Sequence, residues 1–544
     1  LLLAADAGLA LVLLWSAGVL RKPAHVLCAA LLLIRKRCRP DSRLPFAPWI
    51  VLADAASLLE ISLGLLSLIR PRKLRTPTHV FPAIAANLCA FLLVTVMGLS
   101  GFSSIDLEQA LNFGFDRWQP ITTYASQGFI TSFTEMVNEL PIERPEDYTP
   151  DEAQSIEQEL AATYDSTYGA SEQRAAAVAQ FNEIKPTIVA VMNESFSDLS
   201  CFEQLQAAGY TGPAFYNSLP DTLVRGTMLA SVAGGGTANS EFEFLTGATT
   251  AFVGLGKIPY QLYQMNGVNS LAKDLKELGY TATAMHPQNP VNYHRDKIYQ
   301  QLGFGDFLSI GDFEGAPCYH AGVCDYATYD KILDLLRTDE APQFIFDVTM
   351  QNHGGYDYGT VPAEELTNYW VEGASEGANS ALNTYLTCIN ASDRDLEYFI
   401  NELRNIGRPV VLIFFGDHQP SAATTLNDEL YPQEDTASHA FRIYQSTYFV
   451  WANYEIVGNT ELNVYDTVGA NEIAAITLNK IGAPLTDYQK ALLATRSDVP
   501  TINVAGYLGA DGLRYDLESE DSPYASTIDK LQRMQYLEFA RKVQ

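Results

Sequence analysis

Four short apolar runs, rich in β-branched and aromatic residues, most constrain how this 544-residue chain can fold. They occupy residues 187–192, 281–285, 344–350 and 410–415, and helical patterns separate them. Runs of this length and composition are typical of strands buried on both faces of a parallel sheet. The sequence therefore predicts an α/β domain with a mainly parallel central sheet flanked by helices.

Polar side chains follow each of these runs at its carboxyl end. They are Glu194, His286, His353 and the pair Asp417-His418. Ligands of open α/β sheets bind beyond the carboxyl ends of the strands. Core packing does not explain why four strands would bring acids and histidines to one edge, so a functional site is expected there. Taken singly, His286 and His353 could equally be structural histidines.

A glycine-rich stretch at residues 234–242 (Gly-Gly-Gly-Thr-Ala-Asn-Ser-Glu-Phe) leads into a helical pattern that ends at Gly247. Glycine lets the backbone approach a ligand closely, and a helix N-terminus offers unpaired N–H groups to an anion such as phosphate or sulfate. Thr237, at that N-terminus, is therefore a candidate nucleophile. The alternative is that Thr237 is an ordinary N-cap after a flexible loop.

The residue types also indicate a metal site. Glu194, Asp417 and His418 offer the ligands that Zn²⁺ or Mn²⁺ accepts, and the Thr237 oxygen would complete a set of four. A cation beside Thr237 would lower the pKa of its hydroxyl and let it attack near neutral pH. Arg295 could bind a phosphoryl group through its forked guanidinium, or could form a surface salt bridge instead.

The first 101 residues are rich in Leu, Ala and Val and predict a membrane region. Residues 2–20, 48–69 and 80–101 are each long enough to cross a bilayer as a helix, which takes ~20 apolar residues. The chain starts without methionine, so upstream sequence is expected to be missing. Residues 102–180, punctuated by prolines, predict a helical connector, with a helix over 151–162 capped by Thr149. Residues 181–544 are then expected to form the catalytic domain.

Charge divides the chain in the same place. Residues 1–101 have 11 Lys+Arg and 4 Asp+Glu, a net charge of +7, and the whole chain has −29, which leaves −36 for the remainder. A strongly acidic globular part argues against a nucleic-acid partner. By the positive-inside rule, basic residues at 70–75 place the globular part outside the cell, whereas those at 35–43 argue for the opposite orientation.

Cysteine spacing gives one further prediction. Cys318 and Cys324 lie six positions apart in a loop, and a disulfide between them is expected if that loop is extracytoplasmic. Two free thiols, or a metal clip with His320, are the alternatives. Cys201 and Cys388 are expected to be core residues.

The order Asn-Glu-Ser-Phe at 193–196, the glycine-rich stretch, Tyr-His-Arg-Asp at 293–296, Asn-His-Gly at 352–354 and Gly-Asp-His at 416–418 resembles the lipoteichoic acid synthase family. These are multi-pass membrane phosphoglycerol transferases of the alkaline phosphatase and sulfatase superfamily. The resemblance covers roughly residues 184–420 and implies a sulfatase-like α/β fold. One position departs from the family's pattern, since Tyr293 stands where a tryptophan is frequent.

The resemblance also implies roles. Glu194, Thr237, Asp417 and His418 would bind one divalent ion, Mn²⁺ in this family, with Mg²⁺ or Zn²⁺ as alternatives. Thr237 would be the nucleophile. Glycerol phosphate would be held by Arg295, His353 and Tyr293, with His286 nearby. The implied substrates are phosphatidylglycerol and an acceptor hydroxyl on a lipoteichoic acid-type polymer or a glycolipid, at the outer face of the cell membrane.

Three other functions stay open at this stage. A phosphoethanolamine transferase would use the same metal-bound threonine. A membrane-anchored sulfatase or phosphodiesterase would share the fold, but a sulfatase would have a Cys/Ser-x-Pro-x-Arg stretch for its nucleophile, and none stands near residue 237. A non-enzymatic lipid-binding relative predicts loss of a metal ligand, whereas all four are present.

Overall fold

The computed structural model describes residues 120–127, 132, 140–357 and 360–543. The chain divides into two compact units, residues 1–141 and 142–544, a boundary within the predicted connector. In the first unit the structure describes one helix, α1 (Pro120–Gln127). The three predicted membrane spans lie outside the described residues. Within the described residues, no helix has the length and hydropathy needed to cross a bilayer.

The second unit is built on an eight-stranded sheet and two small ones. The strands, in chain order, are β1 (Thr187–Asn193), β2 (Thr222–Leu229), β3 (Thr281–Met285), β4 (Asp306–Leu308), β5 (Cys318–Tyr319), β6 (Gly322–Val323), β7 (Gln343–Val348), β8 (Val410–Gly416), β9 (Gln445–Ala452), β10 (Val464–Gly469), β11 (Thr501–Asn503), β12 (Gly506–Leu508) and β13 (Arg514–Tyr515).

Helices connect the strands and cover the sheet. The α-helices are α2 (Pro150–Ser166), α3 (Glu172–Ile184), α4 (Glu203–Ala207), α5 (Ala214–Ser218), α6 (Thr237–Thr246), α7 (Pro259–Leu262), α8 (Leu271–Glu277), α9 (Arg295–Gln301), α10 (Asp325–Thr338), α11 (Glu376–Arg404), α12 (Ser421–Leu430), α13 (Thr436–Ile443), α14 (Ile473–Lys480), α15 (Asp487–Thr495), α16 (Ala525–Gln535) and α17 (Arg541–Val543). Short 3₁₀ turns and one π-helical segment, Tyr536–Ala540, complete the described elements.

The large sheet has the order β10-β2-β9-β8-β1-β7-β3-β4. Its centre is parallel: β1 pairs with β7 and β8, and β3 pairs with β7 and β4. Strand β9 runs antiparallel to both of its neighbours, β2 and β8. The predicted mainly parallel sheet is therefore confirmed, and all four predicted runs are strands. Because β1, β3, β7 and β8 run the same way, the residues that follow them meet at one edge.

The sheet is buried on both faces, as its apolar runs predicted. In β1, Ile188, Ala190 and Met192 belong to one hydrophobic cluster, and Val189 and Val191 belong to the other. Successive side chains of a strand point to opposite faces, so β1 contributes to two cores at once. Helix α6 packs into the first cluster and the long helix α11 into the second.

The second half of the predicted connector is part of the globular unit. Helix α2 begins at Pro150, and the Thr149 side chain caps it by accepting a 3.3 Å hydrogen bond from the Glu152 N–H, as predicted. The Tyr164 hydroxyl donates to Asn479 Oδ1 at 2.5 Å. From α3, Arg174 donates to the carbonyl of the same Asn479 at 2.7 Å. Helices α2 and α3 are therefore both hydrogen-bonded to the C-terminal end of α14.

Candidate active site

Glu194 follows β1 directly and is held by its backbone. Its N–H donates to the Thr349 hydroxyl at 3.1 Å, just beyond the adjacent strand β7. The next residue, Ser195, has a left-handed backbone with φ of 54°, which non-glycine residues rarely adopt. Tyr385, on α11, donates to the Ser195 carbonyl at 2.9 Å. The sharp turn places the Glu194 carboxylate at the sheet edge, where it is 2% exposed.

Asp417 and His418 follow β8, next to β1. A Cβ on the preceding Gly416 would lie 1.7 Å from the Phe196 carbonyl oxygen, so no other residue fits there. Asp417 Oδ1 accepts hydrogen bonds from the N–H groups of Ser195 at 2.7 Å and His418 at 2.9 Å. The loops after β1 and β8 are therefore locked together through this carboxylate.

Thr237 is the first residue of α6. Gly236 is the N-cap, with φ of 92°, and a Cβ there would lie 2.7 Å from Val232 Cγ1. The alternative that Thr237 caps the helix is wrong, because no side chain caps α6. The Thr237 hydroxyl donates instead to Glu194 Oε2 at 3.4 Å. The Thr237 hydroxyl, at the start of α6, thus contacts the Glu194 carboxylate.

Glu194, Asp417 and His418 form a buried group whose ligand atoms all lie within 4.8 Å of one another. His418 Nε2 is 3.1 Å from Asp417 Oδ2 and 3.9 Å from Glu194 Oε1. Both His418 Nε2 and Asp417 Oδ2 are buried without a hydrogen-bond partner. Such atoms are rare unless they bind something. The donor set, two carboxylates and an imidazole, fits a divalent ion.

The second nitrogen of His418 supports this assignment. Nδ1 lies 2.9 Å from the Gln419 carbonyl oxygen, which can only accept, so Nδ1 carries the proton and Nε2 is left as a ligand. Burial and the Glu194 carboxylate raise the pKa of Asp417 to about 6. Burial by itself would lower the pKa of His418. The negative charges of Asp417 and Glu194 outweigh the effect of burial, so the pKa of His418 is raised. Crowded negative charge of this kind is what a cation would stabilise.

Arg295 is 2% exposed, so the alternative of a surface salt bridge is wrong. Its Nε donates to Glu241 Oε1 at 2.9 Å, and its Nη2 contacts the same oxygen. The Tyr293 ring centre is 4.9 Å from the guanidinium carbon. Burial raises the pKa of Tyr293, Arg295 lowers it, and the carboxylates of Glu241, Glu194 and Asp417 raise it further. The Tyr293 ring therefore contacts Arg295, and the charges of Glu194 and Asp417 act on its hydroxyl.

The two candidate histidines differ in environment. His286 is buried, and its Nδ1 lies 2.9 Å from the Val348 carbonyl oxygen. Burial and then the Arg295 charge lower its pKa well below the usual value, so the ring is neutral. His353 is exposed, and its charge contributes to the lowered pKa of His286. The His353 carbonyl accepts a 3.0 Å hydrogen bond from His320 Nε2.

The cysteine loop forms the hairpin of β5 and β6, with Cys318 opposite Val323. Both Cys318 and Cys324 are free thiols in the structure, the first exposed and the second buried. No disulfide joins them here, and their oxidation stays a prediction that thiol labelling with and without reductant would test. His320 points to His353 and Thr360 rather than to a clip with the thiols. Cys388 is buried as predicted, and Cys201 is half-buried.

Two residues of the site were not predicted, although both stand in the glycine-rich stretch. Ser240 donates from Oγ to the Asp417 carbonyl at 2.6 Å, and Glu241 binds Arg295. Glu241 lies four residues after Thr237, so both occupy one face of α6. The four-residue spacing could therefore have identified Glu241 as a candidate site residue from the sequence. The Ser240 contact depends on how the β8 loop meets α6, which sequence spacing does not give.

The arrangement combines three functions in one place. Thr237 supplies a hydroxyl at a helix N-terminus, three side chains can hold a cation, and Arg295 supplies a buried guanidinium that is paired with Glu241. These are the parts needed for nucleophilic attack on a phosphorus or sulfur ester, with the charge on its oxygens stabilised. A direct role in binding or converting the substrate remains a prediction for five residues: Thr237, Arg295, His353, Tyr293 and His286.

Comparison with known proteins agrees with this geometry. The family described as Sulfatase matches residues 186–470. A protein of Rhizobium meliloti (strain 1021) named "Putative cyclic beta-1,2-glucan modification protein" is 30% identical over 254 residues, which are 46% of this chain and 38% of that protein. An uncharacterized protein of Haemophilus influenzae is 27% identical over 249 residues, 44% of each chain. The match thus spans less than half of each relative's length.

Among solved structures, the fold is similar to that of Streptococcus pyogenes phosphoglycerol transferase GacH in complex with sn-glycerol-1-phosphate. The TM-score is 0.54 and the sequence identity 22%, and the alignment covers 73% of this chain and 95% of that one. At this identity the likeness establishes a shared fold.

Proposed function

This chain belongs to the sulfatase family, and from that premise we propose that it transfers glycerol phosphate from phosphatidylglycerol to an acceptor hydroxyl. One observation carries the proposal. The Thr237 hydroxyl, at the start of α6, faces Glu194 Oε2 at 3.4 Å beside the Glu194-Asp417-His418 group. A threonine in that place is suited to form a covalent ester and pass it on, as a transferase requires.

In the first step Thr237 Oγ1 attacks the phosphorus of the lipid headgroup in line. The hydroxyl proton passes to Glu194 Oε2, which it already faces. The bond from phosphorus to the diacylglycerol oxygen breaks, and His353 protonates that oxygen as it leaves. The product is a phosphoglycerol ester of Thr237 and free diacylglycerol.

In the second step the oxygen of an acceptor hydroxyl attacks the same phosphorus. His353 takes the acceptor's proton, the bond from phosphorus to Thr237 Oγ1 breaks, and Oγ1 regains its proton from Glu194. The N–H groups at the start of α6 and the Arg295 guanidinium stabilise the negative oxygens in both steps. Glu194 and His353 therefore return to their starting protonation states, and diacylglycerol is the leaving group of the reaction.

Glu194, Asp417 and His418, with the Thr237 oxygen, would hold one divalent ion. We propose Mn²⁺, with Mg²⁺ and Zn²⁺ as alternatives, because two carboxylates, an imidazole and a hydroxyl suit each of these ions. When bound, the ion would lower the pKa of the Thr237 hydroxyl and offset negative charge on the phosphoryl group. The chain's own part is to fix the ligands, through the hydrogen bonds of Ser195 and Ser240.

We propose that Arg295, His353, Tyr293 and His286 bind the headgroup. Arg295 would bind a phosphoryl oxygen, while Tyr293 and His286 would contact the glycerol. The GacH structure supports glycerol phosphate as the transferred group, because a protein of this fold holds sn-glycerol-1-phosphate. Together with the ordered motifs, this supports placing the chain in the lipoteichoic acid synthase branch of the superfamily.

The acceptor is a hydroxyl of a glycerol phosphate polymer or of a carbohydrate. A carbohydrate hydroxyl is supported by the Rhizobium meliloti relative, whose name gives it a role in modifying a cyclic glucan. A lipid donor is consistent with a membrane enzyme anchored by the predicted spans in residues 1–101. The catalytic unit would then face the outside of the cell membrane, where such acceptors are found.

The decisive experiment supplies the full chain, in detergent with Mn²⁺, with phosphatidylglycerol labelled in its headgroup. Release of diacylglycerol and transfer of the label to an added glycan or to glycerol phosphate chains would support the proposal. Phosphatidylethanolamine, offered in parallel, tests the phosphoethanolamine transferase alternative, and a p-nitrophenyl sulfate ester tests the sulfatase alternative. Turnover of either, with none of phosphatidylglycerol, would overturn the proposal.

A further inference from the structure

Arg295 and Glu241 form a closed ion pair in the interior of the site. Their side chains are 2% and 0% exposed. Two nitrogens of Arg295, Nε and Nη2, bond to one carboxylate oxygen, Oε1. The other oxygen, Oε2, accepts a 2.7 Å hydrogen bond from the Tyr299 hydroxyl. Both carboxylate oxygens are therefore occupied, and Glu241 cannot turn towards another partner.

This arrangement leaves one end of the arginine available. Nη1 makes no hydrogen bond to any residue within the described ranges, and the Tyr293 ring covers the guanidinium at 4.9 Å. The neighbouring His286 is neutral, because burial and Arg295 lower its pKa. Arg295 can thus donate hydrogen bonds to a bound ligand, while Glu241 cancels most of the electrostatic attraction that its charge would exert.

Charge cancellation matters because phosphate esters differ in charge. A phosphodiester carries one negative charge, whereas a phosphomonoester loses a second proton with a pKa of about 6 and then carries two. A free arginine attracts the second charge strongly in a buried site. An arginine matched by a buried carboxylate does not, since the carboxylate repels the additional charge almost as much.

We propose that Glu241 determines which ester the site accepts, by pairing with Arg295 so that monoanionic phosphodiesters are favoured relative to dianionic phosphomonoesters. The inference deepens the proposed function, on which it rests for the identity of the ligand site. Discrimination against dianionic esters would reduce occupation of the site by inorganic phosphate. Glu241 acts here through Arg295 and is a positioning and charge-setting residue.

The test measures binding of two matched ligands, phenyl phosphate and methyl phenyl phosphate, which differ by one methyl group and one charge. Isothermal titration calorimetry would use the full chain with Thr237→Ala, so that neither ligand is turned over. At pH 8, Glu241→Gln should shift the preference towards phenyl phosphate by about tenfold, the order expected for one unit charge at close range. At pH 5, where phenyl phosphate is largely monoanionic, the shift should fall below about twofold.

Three controls separate charge from structure. Glu241→Asp keeps the charge, and Tyr299→Phe removes a hydrogen bond but no charge, so both should keep the original preference. The shift in ligand preference should be the same in the presence of Mn²⁺ and after a chelator has removed the metal, because the shift originates in Glu241. If Glu241→Gln does not fold, the double variant Glu241→Gln with Arg295→Gln leaves no charge unpaired. It should bind both ligands more weakly with an unchanged preference.

The proposal would be overturned if Glu241→Gln changed the affinity for both ligands equally. It would also be overturned if the shift in ligand preference had the same size at pH 5 and pH 8. A changed preference in the double variant would do so as well. These outcomes are independent of the lipid assay. Failure of phosphatidylglycerol turnover with a clear shift here would reject the proposed function alone, and turnover without a shift would reject this inference alone.

Discussion

The Ser240 hydroxyl donates a 2.6 Å hydrogen bond to the carbonyl oxygen of Asp417. This bond joins the helix that carries Thr237 to the loop that carries two candidate metal ligands. Ser240 and Asp417 are both buried. Their hydrogen bond therefore fixes the distance between the hydroxyl of Thr237 and the Glu194-Asp417-His418 group. Residues that orient metal ligands in this way usually change metal affinity when they are replaced.

Ser240→Ala should therefore weaken metal binding about tenfold, the lower end of the effect of losing such a contact. It should also lower the free energy of unfolding by about 1–3 kcal/mol, because the Asp417 carbonyl loses its donor. Titration of Mn²⁺ followed by calorimetry, with a thermal melt, would measure both. Thr246→Val is the matched control, because the Thr246 hydroxyl donates to Phe242 in the same helix, away from the site. Equal metal affinity in the two variants would contradict the prediction.

Thr237→Ala should abolish turnover of phosphatidylglycerol while leaving the fold intact. Thr237 does not cap α6, so the loss of a small hydroxyl should cost no more than about 1 kcal/mol. Mass spectrometry of wild type after incubation with the lipid should find a phosphoglycerol increment on the peptide that carries Thr237, and none in the variant. Thr246→Ala serves as control and should keep both turnover and the increment. Near-normal diacylglycerol release by Thr237→Ala would mean that another nucleophile acts.

The sheet and the convergence of Glu194, Asp417 and His418 were predictable from sequence because they depend on local pattern. Runs such as 187–192 and 410–415 are strand-like whatever their neighbours, and in a parallel sheet the residues after them must meet at one edge. Contacts across elements were not predictable in the same way. The pairing of Glu241 with Arg295, 54 residues apart, depends on how α9 packs against α6. The sequence also left the N-cap of α6 open, because a Gly-Thr pair permits either residue as cap.

Gly416→Ala should unfold the chain or lower its stability severely. The added Cβ would lie 1.7 Å from the Phe196 carbonyl oxygen, between the loops that carry Glu194 and Asp417. Relieving this overlap requires moving buried backbone, at a cost above about 3 kcal/mol. Gly311→Ala is the matched control, since a Cβ there has no neighbour within 4 Å. Comparable melting temperatures of the two variants would show that the close approach at Gly416 is wrong.

Asp347 should make the stability of the protein fall as the pH rises. The residue is buried in the centre of the sheet, where it accepts a 2.6 Å hydrogen bond from the Thr328 hydroxyl through Oδ2, while Oδ1 has no hydrogen-bond partner. The pKa of Asp347 is raised to about 8: burial is the largest cause, the hydrogen bond from Thr328 opposes it, and the charge of Asp325 adds to it. The folded state therefore keeps a proton that the unfolded chain loses near pH 4.

Between about pH 4 and pH 8 the folded state binds this proton and the unfolded state does not, so stability falls with pH by up to about 1.4 kcal/mol per unit. Asp347→Asn cannot lose a proton, and its stability should decline less steeply over that range. Urea unfolding at pH 5, 6, 7 and 8 would measure the two slopes, and their difference isolates Asp347 from the other buried acids. The exposed Asp306→Asn should leave the slope as in wild type. Parallel slopes for wild type and Asp347→Asn would show that Asp347 is ionised in the folded protein.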